Sequence, residues 1–377
     1  MIKRLLKQLI ERTGFSLNRH QYFERKNYGT IYVPRANKNK LLSTEIIETI
    51  MKFYDKIPPF YTDKVIEPLK IAGAWKDYLL ERRTRQLSAI KAKNIDEYKN
   101  LLNNMFRNEM TRGMWCHLYY NENVSGKPFP RGFIEEMDGF KYLTGRREDE
   151  LVCCNFGNGW GYKTERGIIK VTDPSQGIKA DIIINILNAL NQSRNRKLTF
   201  VDLGSGYGGD VEKVVMWFNN PIRIYLVDIP LNLTTAYAYI SAGFPECKKH
   251  LIDSAEKLRE ITLSDNNEIE FVFVPTLYVE DLKNIEINLL FNHGSLSEMD
   301  YITIEFYLQV LVTENTDFLL EINSNTEALN TSNHIEIQNT RFPVPKTHSL
   351  LSRTPTWLTP KGHRYLQNLW INNRLLK

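Results

Sequence analysis

Two carboxylates and a run of glycines carry the chemistry of this chain. Asp202 stands at the end of the apolar stretch Leu198-Thr199-Phe200-Val201, directly before Leu203-Gly204-Ser205-Gly206-Tyr207-Gly208-Gly209. Asp228 closes a second apolar stretch, Ile222-Arg223-Ile224-Tyr225-Leu226-Val227. Glycines let a chain turn sharply after a strand and let a ligand approach the backbone. An acidic residue about 20 positions further on can take the two hydroxyls of a ribose. The set reads as a nucleotide-binding βαβ unit. Gly204, Gly206 and Gly209 also satisfy GxGxxG, a pattern too common to decide between nucleotides. Asp202 decides. Next to a pyrophosphate its charge would repel, and next to an ammonium group it would attract. S-adenosylmethionine (SAM) has an ammonium, a sulfonium, a ribose and no phosphate, so the residues favour SAM over an NAD-type cofactor.

Val201-Asp202-Leu203-Gly204-Ser205-Gly206-Tyr207-Gly208 resembles the first motif of class I SAM-dependent methyltransferases. Two further stretches, Val227-Asp228-Ile229-Pro230 and Leu289 to Met299, narrow the resemblance. The second contains Asn292, Ser295, Glu298 and Met299 in the spacing N-x-x-S-x-x-E-M. Together they resemble the sugar O-methyltransferases of bacterial surface-polysaccharide loci, over roughly residues 60 to 370. Leu296 stands where that family usually has an aromatic residue. The resemblance implies a SAM site built from Asp202, Gly204, Ser205, Gly206, Tyr207, Gly208, Asp228, Ile229 and Asn292. It also implies a sugar or polysaccharide acceptor, with a polymer, a lipid-linked precursor and a nucleotide-sugar all open.

Methyl transfer to a hydroxyl is an in-line displacement, and a sugar hydroxyl is a poor nucleophile. A base should take its proton in the transition state. Three residues are candidates for that role: His293, Glu298 and, from the tail, His348. Glu298 can equally cap a helix, and His293 can equally be a hydrogen-bonded loop histidine. No close run of acidic residues follows Asn292, so no metal is expected.

The elements that must position these groups follow from periodicity. Asp210, Val211, Val214, Val215 and Phe218 read as a helix between the two strands. Strands are expected at Ile269 to Pro275, Ile287 to Phe291 and Asp317 to Ile322, with a helix from Pro230 to about Ala242 and another from Ser295 or Ser297 to about Val312. Asp173-Pro174 looks like an N-cap followed by proline at the first helical position, opening a helix to about Asn191. Strand and helix alternation implies an α/β fold, a doubly wound Rossmann-like sheet with its site at the carboxyl ends of the strands. The expected division is an amphipathic helix and extended connection (1–40), a mostly helical cap with a glycine-rich hairpin or lid at Gly157 to Tyr162 (41–172), and the methyltransferase domain (173–377). Cap helices are expected at Ser43 to Ile57, Asp63 to Lys93 and Ile95 to Met110. Arg82, Arg83 and Arg85 could meet an acidic sugar or a phosphate, or form a solvated face. Arg107, Arg112, Trp115 and His117 could serve a sugar site, or close a core. The tail around His348, Arg353 and Trp357 should add the last strands.

Bulk properties exclude several classes. Of 377 residues, 42% are hydrophobic and 25% charged, ordinary for a globular protein. A net charge of +5, from 49 basic and 44 acidic residues, is too mild to argue for nucleic acid. Cysteines 116, 153, 154 and 247 form no CxxC pair, which argues against a zinc site or disulfide framework and fits a reducing, cytoplasmic setting. No run of about 20 apolar residues exists to span a membrane. Residues 2–12 place Ile2, Leu5, Leu6, Leu9 and Ile10 on one helical face, flanked by Lys3, Arg4, Lys7 and Arg12. Such a helix can lie on an anionic membrane face, or pack on its own protein or a second subunit.

Overall fold

The computed structural model describes residues 28–34, 42–57, 69, 83–111, 124–194, 197–264, 267–326, 336–356 and 365–376. The helix expected at residues 2–12, Arg82, Arg112, Trp115, Cys116, His117 and Trp357 lie outside them, as does most of the helix expected from Asp63.

The cap begins with α1 (Thr44–Lys56), started by the Ser43 hydroxyl accepting from the Ile46 amide at 3.3 Å. Ile47, Ile50, Met51 and Phe53 form its buried stripe. Helices α2 (Thr84–Lys91) and α3 (Ile95–Asn103) follow. The helix expected to reach Met110 stops at Asn104, and two 3-10 turns continue the chain. A further helix, α4 (Arg131–Thr144), buries Phe133, Met137 and Phe140 and ends on Gly145 in the left-handed region at φ 68°. The glycine-rich stretch forms a hairpin, β1 (Gly161–Lys163) against β2 (Ile168–Lys170). Its lead-in is bolted down. Trp160 Nε1 donates to the Phe106 carbonyl at 3.1 Å, and Arg107 Nε donates to that of Asn158 at 2.8 Å. Arg107 therefore closes the cap core.

The long helix α5 (Asp173–Arg194) leads into β3 (Leu198–Leu203), α6 (Gly209–Trp217), β4 (Ile222–Asp228) and α7 (Pro230–Gly243). Then come β5 (Lys248–Leu251), α8 (Ala255–Leu263), β6 (Glu270–Pro275), β7 (Ile287–His293), α9 (Tyr301–Leu311), β8 (Thr316–Ser324), β9 (His348–Pro355) and β10 (Tyr365–Asn372). The eight strands lie in the order β5-β6-β4-β3-β7-β8-β10-β9, with β10 antiparallel to both its neighbours and the rest parallel. The fold is the α/β, Rossmann-like one. From β3 the chain winds outward through β4 on one side, then returns to lay β7 on the other. The order reverses at β3, so a crevice opens above the carboxyl ends of β3, β4 and β7.

Helices cover both sheet faces, which is why β4, β6 and β8 are buried along their length and β4 and β6 are largely apolar. On one face Phe200, Ile224, Phe291 and Phe318 join the cap residues Ile50, Tyr98 and Phe140 in one continuous apolar cluster. On the other, Val201, Tyr225, Leu290 and Leu319 pack with Ile304 and Leu308 of α9. No helix among the described residues is long and apolar enough to cross a membrane.

Candidate functional site

The glycine turn is built for close approach. Gly204, Gly206 and Gly208 take φ of 77°, 59° and 86°, a region an L side chain rarely adopts. A Cβ on Gly204 would lie 2.1 Å from Ser295 Oγ. That contact joins the turn after β3 to the turn after β7. Asn292 completes the clasp: its Nδ2 donates to the Leu203 carbonyl at 2.7 Å and also to Ser295 Oγ. Its Oδ1 accepts from the Leu296 amide at 3.3 Å and from Asn323 Nδ2 at 2.9 Å. All of Asn292's hydrogen-bonding capacity is spent on the protein. Its side chain shapes the crevice by joining the two turns.

Asp228 sits at the end of β4 and is buried. Its Oδ2 accepts from the Gly206 amide at 2.7 Å, and its Oδ1 accepts from the Ile229 amide at 2.7 Å and from Asn232 Nδ2 at 2.9 Å. Burial pushes its carboxyl up to about 6, and these three donors pull against burial. Arg83 reaches the same group from the cap: buried, it donates to Asn232 Oδ1 at 2.6 Å. One residue of the expected arginine cluster is thereby a structural anchor; Arg85 pairs with Glu97 at 2.5 Å on the surface.

Asp202 is 3% exposed, and among the described residues no hydrogen bond reaches its carboxylate. Burial, Asp210 and Asp228 all hold it well above the usual carboxylate range, and Lys179 alone acts the other way. Ser205 Oγ is buried without a hydrogen-bond partner among the described residues. The Tyr207 side chain turns away from the crevice. Its ring packs edge-on against Phe106 and Tyr239, and its hydroxyl accepts from Gln176 Nε2 at 2.6 Å. Only its backbone belongs to the turn.

The three candidate bases separate. His293 ends β7 at the crevice, and its Nδ1 lies 2.9 Å from Lys179 Nζ. Lys179 also pairs with Asp210 at 2.8 Å. Burial and the adjacent Lys179 hold His293 well below the usual histidine range. An ammonium can only donate, so Nδ1 accepts and the proton of the neutral ring rests on Nε2. Glu298 lies in a 3-10 turn, Leu296–Glu298, and α9 starts later, with Asp300 at its N-cap. The expected capping by Ser295 or Ser297 is replaced by the clasp, and Ser297 Oγ donates to the Gly294 carbonyl at 3.2 Å. His348 is at the wrong end of the sheet for catalysis. It bonds the carbonyl of Thr316, the first residue of β8, through Nε2 at 2.9 Å, whereas the crevice lies above the last.

Three polar groups escaped sequence reasoning. Lys179 and Asp210 flank the turn from α5 and α6, and only the fold brings them to His293. Glu321 of β8 is buried with three amide donors on it: Asn368, Asn323 at 3.0 Å and Asn339 at 3.3 Å. Burial pushes it up to about 7. It fastens the tail beneath the Asn292 clasp. Among the described residues, Cys153, Asp173 and Glu212 are spaced to hold a metal, but Lys170 and Lys213 already neutralise them, with Lys170 3.2 Å and Lys213 3.3 Å from Asp173.

No protein-family model and no curated protein matches the chain. Among solved structures, the mitomycin 7-O-methyltransferase MmcR aligns at TM-score 0.31 and 12% identity, over 54% of this chain and 57% of that one. The chain thus spans little more than half of that enzyme's length. A magnesium protoporphyrin IX methyltransferase from Synechocystis PCC 6803 with bound S-adenosylhomocysteine aligns at TM-score 0.33 and 10% identity, over 63% of this chain and 100% of that one. The N-methyltransferase NodS from Bradyrhizobium japonicum WM9 aligns at TM-score 0.31 and 11% identity, over 50% and 92%. Likeness this loose carries neither substrate nor mechanism to this chain.

Proposed function

We propose that this chain is a SAM-dependent methyltransferase that methylates a hydroxyl of a sugar, in a bacterial surface polysaccharide or its precursor. The observation that carries the reading is the buried pair Asp202 and Asp228 around a glycine turn. Both carboxyls are raised by burial, and Asp210 adds a third negative charge beside Asp202. Lys179, the nearby cation, is already engaged by Asp210 and His293. A pyrophosphate would meet net repulsion here. A ligand with an ammonium for Asp202 and ribose hydroxyls for Asp228 would relieve both groups. The unpartnered Ser205 hydroxyl fits the same ligand.

SAM, when bound, supplies an electrophilic methyl group. Asp202 would hold its amino group and Asp228 its ribose, while Gly204 and Gly206 keep the turn free of side chains. His293, fixed by Lys179, presents Nε2–H as a donor that can orient an acceptor oxygen. The sugar assignment is supported by the Asn292-Ser295-Glu298-Met299 spacing, and the clasp gives Asn292 and Ser295 of that spacing a physical role. Transfer of labelled methyl from SAM tests the reading, with free hexoses, nucleotide-sugars and lipid-linked saccharides as acceptors. Label that enters the saccharide and survives mild alkali, as an ether does and an ester does not, is expected. Label confined to nucleic acid or protein, or thermal stabilisation by NAD and not by SAM, would overturn it.

A further inference from the structure

The cap meets the nucleotide-binding sheet at the residue that ends β4. Arg83 directly precedes α2 of the cap, and Asn232 lies in the first turn of α7. Both are buried. The Arg83 guanidinium donates to Asn232 Oδ1 at 2.6 Å, and Asn232 Nδ2 donates to Asp228 Oδ1 at 2.9 Å. A guanidinium can only donate, so it claims the accepting side of the amide and leaves the donating side to the carboxylate. Two further cap side chains seat this contact on the same helix. Gln86 Nε2 donates to the Leu231 carbonyl at 3.3 Å, and the Tyr98 hydroxyl of α3 donates to Thr234 Oγ1 at 2.7 Å. The grip of the cap on α7 thus passes to Asp228 through a single amide. A buried guanidinium is costly unless a negative charge answers it, and Asp228 stands one amide away.

Resting on the methyltransferase reading, we infer that Arg83 is a positioning residue for the cofactor ribose. Through Asn232 it aims the Asp228 carboxylate and answers its charge, so the seating of the cap and the binding of the cofactor are linked. Such linkage is reciprocal: a seated cap strengthens cofactor binding, and bound cofactor tightens the cap on α7 by the same factor. The groups around Asp228 set how its charge responds to pH. Arg83 comes from α2, Asp202 from β3 and Tyr307 from α9. Pro275 of β6, opposite Asp228 in the sheet, carries no charge, and burial keeps the Tyr307 phenol neutral. The Gly206 and Ile229 amides and Asn232 complete the set. Asp202 opposes ionisation of Asp228, and Arg83 is the cation that favours it. Losing that cation moves the ionisation of Asp228 to higher pH, and the rise of ribose affinity moves with it.

The test needs no acceptor. S-adenosylhomocysteine is titrated into the full chain by calorimetry across a series of pH values. Arg83→Met should weaken binding about tenfold at pH 7 and move the midpoint of the pH-dependent rise upward by about one unit, the scale of removing one nearby charge. Arg83→Lys, which keeps the charge and loses the fork, should hold the midpoint within a few tenths of a unit of the unmodified chain. Arg85→Met, on the same helix but paired with Glu97 at the surface, should change neither quantity. A merely structural Arg83 would lower the melting temperature and leave the midpoint in place. That outcome, or equal midpoints in Arg83→Met and Arg83→Lys, overturns the assignment and leaves the cofactor reading intact. If the substituted chains do not fold, hydrogen exchange on the unmodified chain decides. Saturating S-adenosylhomocysteine should slow exchange across residues 84–91 more at pH 7 than at pH 5, where Asp228 is mostly neutral. Equal protection at the two values overturns the linkage. Failure of S-adenosylhomocysteine to bind the unmodified chain at any pH overturns the cofactor reading itself.

Discussion

Replacing Gly204 with alanine tests the construction of the crevice at its tightest point. The residue holds φ at 77°, which costs an alanine about 1–2 kcal/mol. The new Cβ would also lie 2.1 Å from Ser295 Oγ and 2.6 Å from Ser295 Cβ, so Ser295 must leave its place. Its contacts with Asn292 and with the Leu203 carbonyl would go with it. At about 1 kcal/mol for each hydrogen bond, the full loss is about 3–4 kcal/mol. Chemical denaturation of the cofactor-free chain should read that loss, and calorimetry should show weaker binding of S-adenosylhomocysteine, because the turn and the clasp move together. Ser295→Gly removes the clashing atoms at the price of the clasp. Combined with Gly204→Ala it should cost about 1–2 kcal/mol less than the two single changes added together. A loss under about 1 kcal/mol for Gly204→Ala, or simple additivity in the pair, would refute the close approach of the β3 and β7 turns.

The Asp228 carboxyl, up to about 6 against an ordinary 3.8, makes the cofactor-free fold pH-dependent. The group is harder to ionise in the folded chain, so its stabilising contribution is complete below about pH 4 and is lost as pH rises through about 6. Roughly two pH units at about 1.4 kcal/mol each give a loss of about 3 kcal/mol, which Asp228→Asn should remove from the pH profile of denaturation. The ionised form is the better acceptor for ribose hydroxyls, so affinity for S-adenosylhomocysteine should rise between about pH 5 and 7; a flat profile would separate Asp228 from the ribose. His348→Ala, far from the crevice, should cost about 1 kcal/mol of stability through its lost hydrogen bond to the Thr316 carbonyl, which Asn372 Nδ2 still holds at 2.8 Å, and leave cofactor affinity unchanged. A tenfold drop in that affinity would bring the tail into the site.

The nucleotide-binding half of the fold was legible because its signals are local. Buried parallel strands such as Ile222–Asp228 read as unbroken apolar runs, and the glycines mark the turn without reference to anything distant. What escaped has physical reasons. The edge strand Lys248–Leu251 is polar and short, because only one side of it is paired. Helix Arg131–Thr144 shows its period in Phe133, Met137 and Phe140, with Gly145 as its stop, yet it was not among the cap helices expected. The site was legible as far as Asp202, the glycines and Asp228. Asn292 was recognised by spacing, yet its role depends on Leu203, Ser295 and Asn323, which only the sheet brings together. Lys179 carries no motif, and its meaning comes from the fold that brings α5 to His293 and Asp210. His348 illustrates the converse: a histidine in a promising tail, placed by strand direction at the wrong end.

Titration of S-adenosylhomocysteine into the purified chain, followed by the same titration into Asp202→Asn, tests the central claim most directly. The account predicts one site per chain and no heat from NAD. Asp202→Asn should weaken binding by about 1–3 kcal/mol, the scale of a charge-assisted hydrogen bond. Its cofactor-free form should melt no lower than the unmodified chain, because a buried carboxylate without a partner has been removed. Unchanged affinity in Asp202→Asn, or saturable binding of NAD in place of S-adenosylhomocysteine, would contradict it.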